Sequence, residues 1–195
     1  MLPAVIGSKA VSRVFSTKLP KYFNSDEVRM ILSDKLKQED YDAYFLCLFL
    51  WNTGVRISEA LSVKPDDIDL MAKALRVRTL KRTGHVRVLP IQNSFIGEIA
   101  LWINLKGIKR GDYLFQISRK TAYNYVRNAC CFAGITDDRG HPHTLRHSFA
   151  VNCIVQQVPV TVLKEWLGHR DIMKTLIYTQ ILAHDTKVFM DNVRF

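Results

Sequence analysis

At 195 residues the chain has room for one well-buried domain and not for two full-sized ones. Its 48% hydrophobic and 24% charged content is ordinary for a folded protein, but 28 Lys and Arg against 18 Asp and Glu leave a formal net charge of +10. That balance argues for a polyanionic partner, nucleic acid ahead of an acidic membrane surface.

In chain order, Met1 to Tyr22 is basic, rich in small residues and punctuated by Pro3 and Pro20, the pattern of a linker or arm, so residues 23–195 are expected to form the domain. The N-terminus lacks the apolar segment and small-residue cleavage site of a signal peptide. Asn24 with Glu27 three residues later predicts a capping box opening a helix through about Leu36. A strongly apolar helix follows from Tyr41 to Asn52. Its run from Ala43 to Trp51 is well short of the roughly 20 residues a membrane span needs. Thr53 and Gly54 break it, and a short helix over Ile57 to Val63 ends at Lys64-Pro65.

Between Leu75 and Ile91 the pattern changes to two short β-type runs, LRVRTL and HVRVLPI, separated by KRTG. They predict a hairpin bearing Arg76, Arg78 and Arg87, basic positions whose plain reading is a solvated surface, with Lys81 and Arg82 at the turn. Asn93 or Ser94 is placed to cap a helix to Leu105, Tyr113 to Phe115 forms a short extended piece, and Ser118 opens a helix to about Ala133. On that last helix Arg119, Lys120, Tyr123, Asn124 and Arg127 recur three to four apart, a stripe suited to a DNA backbone or groove and equally to an ordinary solvated face.

Pro142 and Thr144 suit a helix entrance, and Leu145, Phe149 and Cys153 form an apolar stripe behind it, leaving His143 and Arg146 to project from another face. The next helix, Val160 to Leu167, ends at Gly168 and leaves His169 on an exposed corner. Asp171 can cap a further helix with Ile172 and Leu176 inward and Tyr178 two turns on, and Asp185 to Asn192 a small terminal one. The cysteines, Cys47, Cys130, Cys131 and Cys153, form no CxxC and read as reduced core thiols. His141, His143 and His147 lack the glutamate or cysteine pair of a zinc motif, and His147 is assigned a structural, hydrogen-bonding part. Trp166 reads as core, not as a base-stacking platform.

Arg56 (in TGVRISEAL), Lys81, His143, Arg146, His169 and Tyr178 make chemical sense together around a phosphodiester. Such a phosphate gains negative charge as it becomes five-coordinate, and the planar fork of arginine suits its non-bridging oxygens better than lysine's point charge. A phenol is mostly neutral at pH 7 and needs nearby cations or a base to attack. The leaving 5′ oxygen needs a proton, which lysine can supply and arginine, too weak an acid, cannot readily supply. No acidic cluster is required, because no metal takes part.

With these residues assembled, the chain resembles the catalytic domain of the tyrosine recombinase and integrase family, which includes phage integrases and Xer-type chromosome resolvases. The resemblance runs from about Lys18 to the C-terminus and rests on TGVRISEAL, HTLRHSFA and LGHRDIMKTLIYT in that order. It implies an α+β, mainly α fold with a small antiparallel three-stranded sheet, and site-specific cutting and rejoining of double-stranded DNA with no cofactor and no metal. Carried over, it makes Tyr178 the nucleophile, Arg56 and Arg146 a phosphate clamp, His143 the proton acceptor, His169 a phosphate donor and Lys81 the general acid, with Glu59 supporting Arg56. It also implies self-association on DNA, four protomers to a synapse, through the apolar tail of Ile181, Leu182, Val188, Phe189 and Met190, a tail that otherwise folds back in cis when the chain is alone. The setting it implies is the cytoplasm, at the nucleoid, of a bacterium, an archaeon or their viruses and mobile elements.

Two departures stand out. Counted back from Pro90, many family members place the hairpin lysine where this chain has Arg82, so Lys81 fits only a turn one residue longer. The family usually carries an amino-terminal core-binding domain, for which residues 1–22 leave no room. A non-catalytic DNA-binding protein of the same fold and a type IB topoisomerase-like relaxing enzyme are the alternatives.

Overall fold

Short polar side chains decide where the helices begin. In this computed structural model, which describes residues 19–79 and 86–184, Asn24 and Glu27 form the expected capping box, each side chain accepting from the other's backbone N–H at 2.9 Å. The helix they open, α1 (Ser25–Ile31), is shorter than expected because Ser33 caps a separate helix, α2 (Asp34–Glu39). Asp40 then caps α3 (Tyr41–Thr53) through the N–H of Ala43. Being apolar all round, α3 is the central helix: Phe45, Leu46, Cys47, Phe49 and Leu50 are fully shielded. A single helical turn, α4 (Ile57–Ala60), follows, three residues shorter at its end than the expected helix to Val63.

The β-type runs form a three-stranded antiparallel sheet in the order β1 (Ile68–Asp69), β2 (Ala74–Arg78), β3 (Val86–Pro90). Alternation sends Leu75, Val77 and Leu89 to the core and leaves Arg76, Arg78, Val86 and Val88 outside. In the register Val77 faces Arg87, so Arg87 lies on the inward face.

Helices α5 (Asn93–Leu105), α6 (Arg119–Phe132) and α7 (Pro142–Val155) pack on α3. Phe45 stacks on Trp102 of α5 with ring centroids 4.4 Å apart, and Phe49 meets Phe115 edge-on at 5.3 Å. Ser118 caps α6 as expected, whereas α5 starts after Gln92 with no side-chain cap from Asn93 or Ser94. Tyr113 to Phe115 is not a strand; the N–H of Leu114 donates to the Val63 carbonyl at 2.7 Å. Helices α8 (Val160–Leu167) and α9 (Met173–Leu176) lead into a 3₁₀ helix, Ile177–His184. Together with α7 they enclose a second apolar cluster of Val151, Ile154, Leu163, Leu167 and Tyr178, against which Leu19, Tyr22, Trp166 and Ile181 pack. The result is the mainly α, α+β class with one small sheet.

Two further local expectations fail. Ile172 is 37% exposed, since the short α9 turns Thr175 inward in its place. Cys131 is exposed while Cys47, Cys130 and Cys153 are buried, because adjacent residues of a helix such as α6 are turned about 100° from one another. The Asp185 to Asn192 helix lies outside the described residues. No helix among the described residues is long and apolar enough to cross a membrane.

Gly54 ends α3 in the left-handed conformation, φ 60°, and a Cβ there would stand 2.2 Å from the Phe149 ring. Gly54→Ala is therefore expected to cost at least about 2 kcal/mol from backbone strain and overpacking together. In a Phe149→Ala background only the strain remains, about 1 kcal/mol. Denaturant unfolding of the native, single and double variants checks this non-additivity.

Candidate active site

The site is built on helix ends. Gly54 closes α3 and Leu167 closes α8, and the backbone carbonyls of both accept from the Arg146 guanidinium, at Nη1 and Nη2 and 2.6 Å each. Carbonyls at helix C-termini have no partner within their helix and carry partial negative charge, so they suit a buried cation. Arg146, 4% exposed, is pushed down to about 9 by burial and then by the charge of Arg56, and stays protonated at neutral pH.

Arg56 precedes α4, where Glu59 reaches back to it. The Glu59 carboxylate accepts from the Arg56 N–H at 2.8 Å and from Nη1 at 3.0 Å. It also accepts the fork of Arg87 at 3.1 and 2.9 Å. Burial pushes the Glu59 carboxyl up, but its bonds to Arg87 and Arg56 more than offset this and hold it below the usual carboxylate range. The expected support of Arg56 by Glu59 is thus present as geometry, and Arg87 is buried, not solvated.

In front of these groups lies an open cleft of about 660 Å³, lined by Arg56, Arg119, His143, His169, Arg170 and Lys174 among others. His143 stands on the first turn of α7, its pKa lowered by desolvation and by the charge of Arg146. His169 follows the α8 end: its Nε2 lies 3.2 Å from Arg146 Nη2 and its Nδ1 2.9 Å from Thr175 Oγ1. A guanidinium only donates, so Nε2 accepts and the proton sits on Nδ1, committed to Thr175. Burial and the charges of Arg146 and Arg56 push His169 down to about 4, so it is neutral.

Tyr178 does not line the cleft. It is 2% exposed within the second apolar cluster, and its hydroxyl lies 2.7 Å from His147 Nδ1. Burial pushes the phenol up to about 12, against a smaller pull from Arg146, while burial, and after it the nearby His143 and Arg146, push His147 down to about 4. With values so far apart, the proton stays on the phenol. The pair is a neutral hydrogen bond that holds Tyr178 in place.

The sequence pattern of the phage integrase family matches residues 21–184. The chain belongs to that family. It is 31% identical over 174 residues to the tyrosine recombinase XerA of Pyrococcus horikoshii, covering 84% of this chain and 58% of that protein. The chain thus spans rather more than half the length of that relative. Its fold is similar to the crystal structure of XerA recombinase, with a TM-score of 0.76 and 24% identity over 92% of this chain and 68% of that one. It is also similar to the XerH site-specific recombinase bound to its difH substrate, with a TM-score of 0.69 and 23% identity over 89% of this chain and 55% of that one.

In this integrase-family domain Arg56, Glu59, His143 and His169 line one cleft, the buried Arg146 contacts His169, and Tyr178 is not among the lining residues. Lys81 and Arg82 lie outside the described residues. Of the α6 stripe, Arg119 lines the cleft and lies over the Tyr123 ring, 5.6 Å from its centroid. Lys120 and Arg127 are exposed along the same helix.

Four residues carry more than sequence reasoning assigned them. Arg170 and Lys174 bring two further cations to the cleft, and the signal was present in GHRDIMK, basic residues one turn apart after His169. The inward placement of Arg87 follows from period-two alternation counted back from Leu89 and Ile91. The bond between His147 and Tyr178 has no sequence signature. Both His147 and His169 titrate near 6.5 in an unfolded chain and near 4 here. Between those values the unfolded chain binds more protons, so their contribution to stability is complete above about pH 6.5 and is lost on acidification. The melting temperature is expected to fall from pH 7 to pH 5, and His147→Phe and His169→Asn each to flatten that slope in thermal scans.

Proposed function

We propose that this chain cuts and rejoins DNA at a specific site through a 3′-phosphotyrosyl intermediate. The observation that carries the reading is one cation-lined cleft that holds Arg56, His143 and His169, with Arg146, from a distant part of the chain, 3.2 Å from His169. Tyr178 Oη attacks the phosphorus, the bond from phosphorus to the 5′ oxygen breaks, His143 takes the phenolic proton, and Lys81 protonates the departing 5′ oxygen. A 5′ hydroxyl of another strand then attacks the tyrosyl phosphate, passing its proton to Lys81, and the bond from phosphorus to Tyr178 Oη breaks as His143 returns the proton to the phenol. The covalent link conserves the phosphoester energy, so neither ATP nor metal is needed.

Double-stranded DNA as partner is supported by the charge of +10 and by the similarity to a recombinase solved with its DNA substrate. Arg119, Lys120, Tyr123 and Arg127 would contact that DNA along α6. For attack, Tyr178 must leave its bond to His147, so the 3₁₀ segment that carries it has to shift when DNA binds. The tail residues Val188, Phe189 and Met190 dock on a neighbouring protomer in an assembly of four. Ile181, just before them, packs on this chain's own second cluster. The cytoplasm of a bacterium or archaeon is the setting in which such a partner is met. One observation favours a non-catalytic DNA-binding protein of the same fold: the burial of Tyr178 away from the cleft.

Nicked duplexes with randomised sequence, incubated with the chain and resolved on denaturing gels, separate these readings. The native chain is expected to form covalent adducts that Tyr178→Phe does not form. DNA binding without any adduct would establish the non-catalytic reading. On a duplex so recovered, sulfur in place of the bridging 5′ oxygen is expected to rescue Lys81→Ala and not Arg82→Ala, since a thiolate leaves without a proton. Truncation after Leu182 is expected to abolish multimeric complexes in sedimentation on that duplex; unchanged assembly would refute tail docking between protomers.

A further inference from the structure

An arginine on the core face of a strand needs an explanation, because a buried guanidinium without partners costs several kcal/mol. Arg87, 6% exposed, spends three of its donors on two different elements. Nη1 and Nη2 hold the two oxygens of Glu59 at 3.1 and 2.9 Å, and Nε donates to the Trp166 carbonyl at 2.8 Å. Its planar group also lies against Gly168, where a Cβ would stand 3.0 to 3.2 Å from Nη1, Cζ and Nε. A larger residue at 168 would push the fork away.

Those contacts join three stretches that carry the site. Glu59 holds Arg56 through both backbone and side chain. The Trp166 to Gly168 bend includes the Leu167 carbonyl that seats Arg146, and leads directly into His169. Strand β3 begins five residues after Lys81 in the sequence. Arg87 itself is not among the residues that line the cleft. Lysine cannot replace it, because a point charge on a flexible stem does not span a carboxylate and a carbonyl in one plane.

We infer that Arg87 is a positioning residue for strand cleavage: its buried fork fixes Glu59 and the α8 end relative to each other, so that Arg56 and Arg146 meet the same phosphate. This rests on the reading of the cleft as a phosphate clamp. A purely structural ion pair would impair every substrate alike. A positioning role acts through the clamp cations, whose importance falls when the scissile phosphate is uncharged. A methylphosphonate, in which methyl replaces one non-bridging oxygen, is such a substrate.

The test measures covalent adduct formation by the native chain, Arg87→Lys, Arg87→Gln and Arg56→Ala, on a nicked duplex that the native chain cleaves. Each runs with a phosphodiester and with a methylphosphonate at the scissile position, and thermal melting confirms folding. Arg87→Lys keeps the charge and guards against loss of the fold in Arg87→Gln. On the phosphodiester both Arg87 variants are expected to lose roughly 10- to 100-fold, as is usual when a partner that orients a direct ligand is removed. On the methylphosphonate the deficit is expected to shrink to a few-fold, in parallel with Arg56→Ala. An undiminished deficit on the methylphosphonate, or native rates on the phosphodiester, overturns the inference alone. Absence of any Tyr178-dependent adduct from the native chain overturns it together with the proposed function.

Discussion

The seat of Arg146 is the constraint on which the site depends. A guanidinium at 4% exposure has given up most of its hydration, and the structure compensates with carbonyls from two helix ends, Gly54 and Leu167. Both helices must stop where they do for those oxygens to be free. Glycines 54 and 168 stop them: each adopts the left-handed conformation, and a side chain at 54 would collide with Phe149 while one at 168 would crowd Arg87. Helix termination and cation binding are therefore one feature of the fold.

Around Arg146 the charge is deliberately unbalanced. Arg56 and Arg87 share the single carboxylate of Glu59, while Arg119, Arg170 and Lys174 face the cleft. This arrangement keeps Arg56 oriented without neutralising the site, so an anion entering the cleft meets charges already in place. The same excess accounts for the histidines. His143, His147 and His169 all titrate low chiefly because burial disfavours their charged form, and further because protonating them would add charge near Arg146. Neutral imidazoles can accept protons, and they spare the cleft further repulsion.

Tyr178 is held by different forces. Its ring belongs to the apolar cluster beneath α7 and α8, and its hydroxyl needs a partner there because an unpaired buried phenol is costly. His147 provides one, on the helix that also carries His143 and Arg146. A phenol pushed up to about 12 by burial keeps its proton at neutral pH, so the attack proposed above requires it to leave this seat. A 3₁₀ segment carries it, an element whose hydrogen-bond geometry is poorer than that of an α-helix.

Much of this could be read from residue order alone. Capping chemistry located α1, α6 and α8, the apolar run marked α3 as the central helix, and alternation marked the hairpin. The motifs around Arg56, His143, Arg146, His169 and Tyr178 marked which side chains to expect at one site. These features are local, arising from neighbours within a few residues, so the sequence by itself determines them. The pairing of Arg87 with Glu59, the two carbonyls beneath Arg146 and the seat of Tyr178 against His147 were decided only by the tertiary structure. Periodicity tells which face a side chain takes but not which distant group waits there, and a buried charge or phenol settles wherever packing offers it a partner.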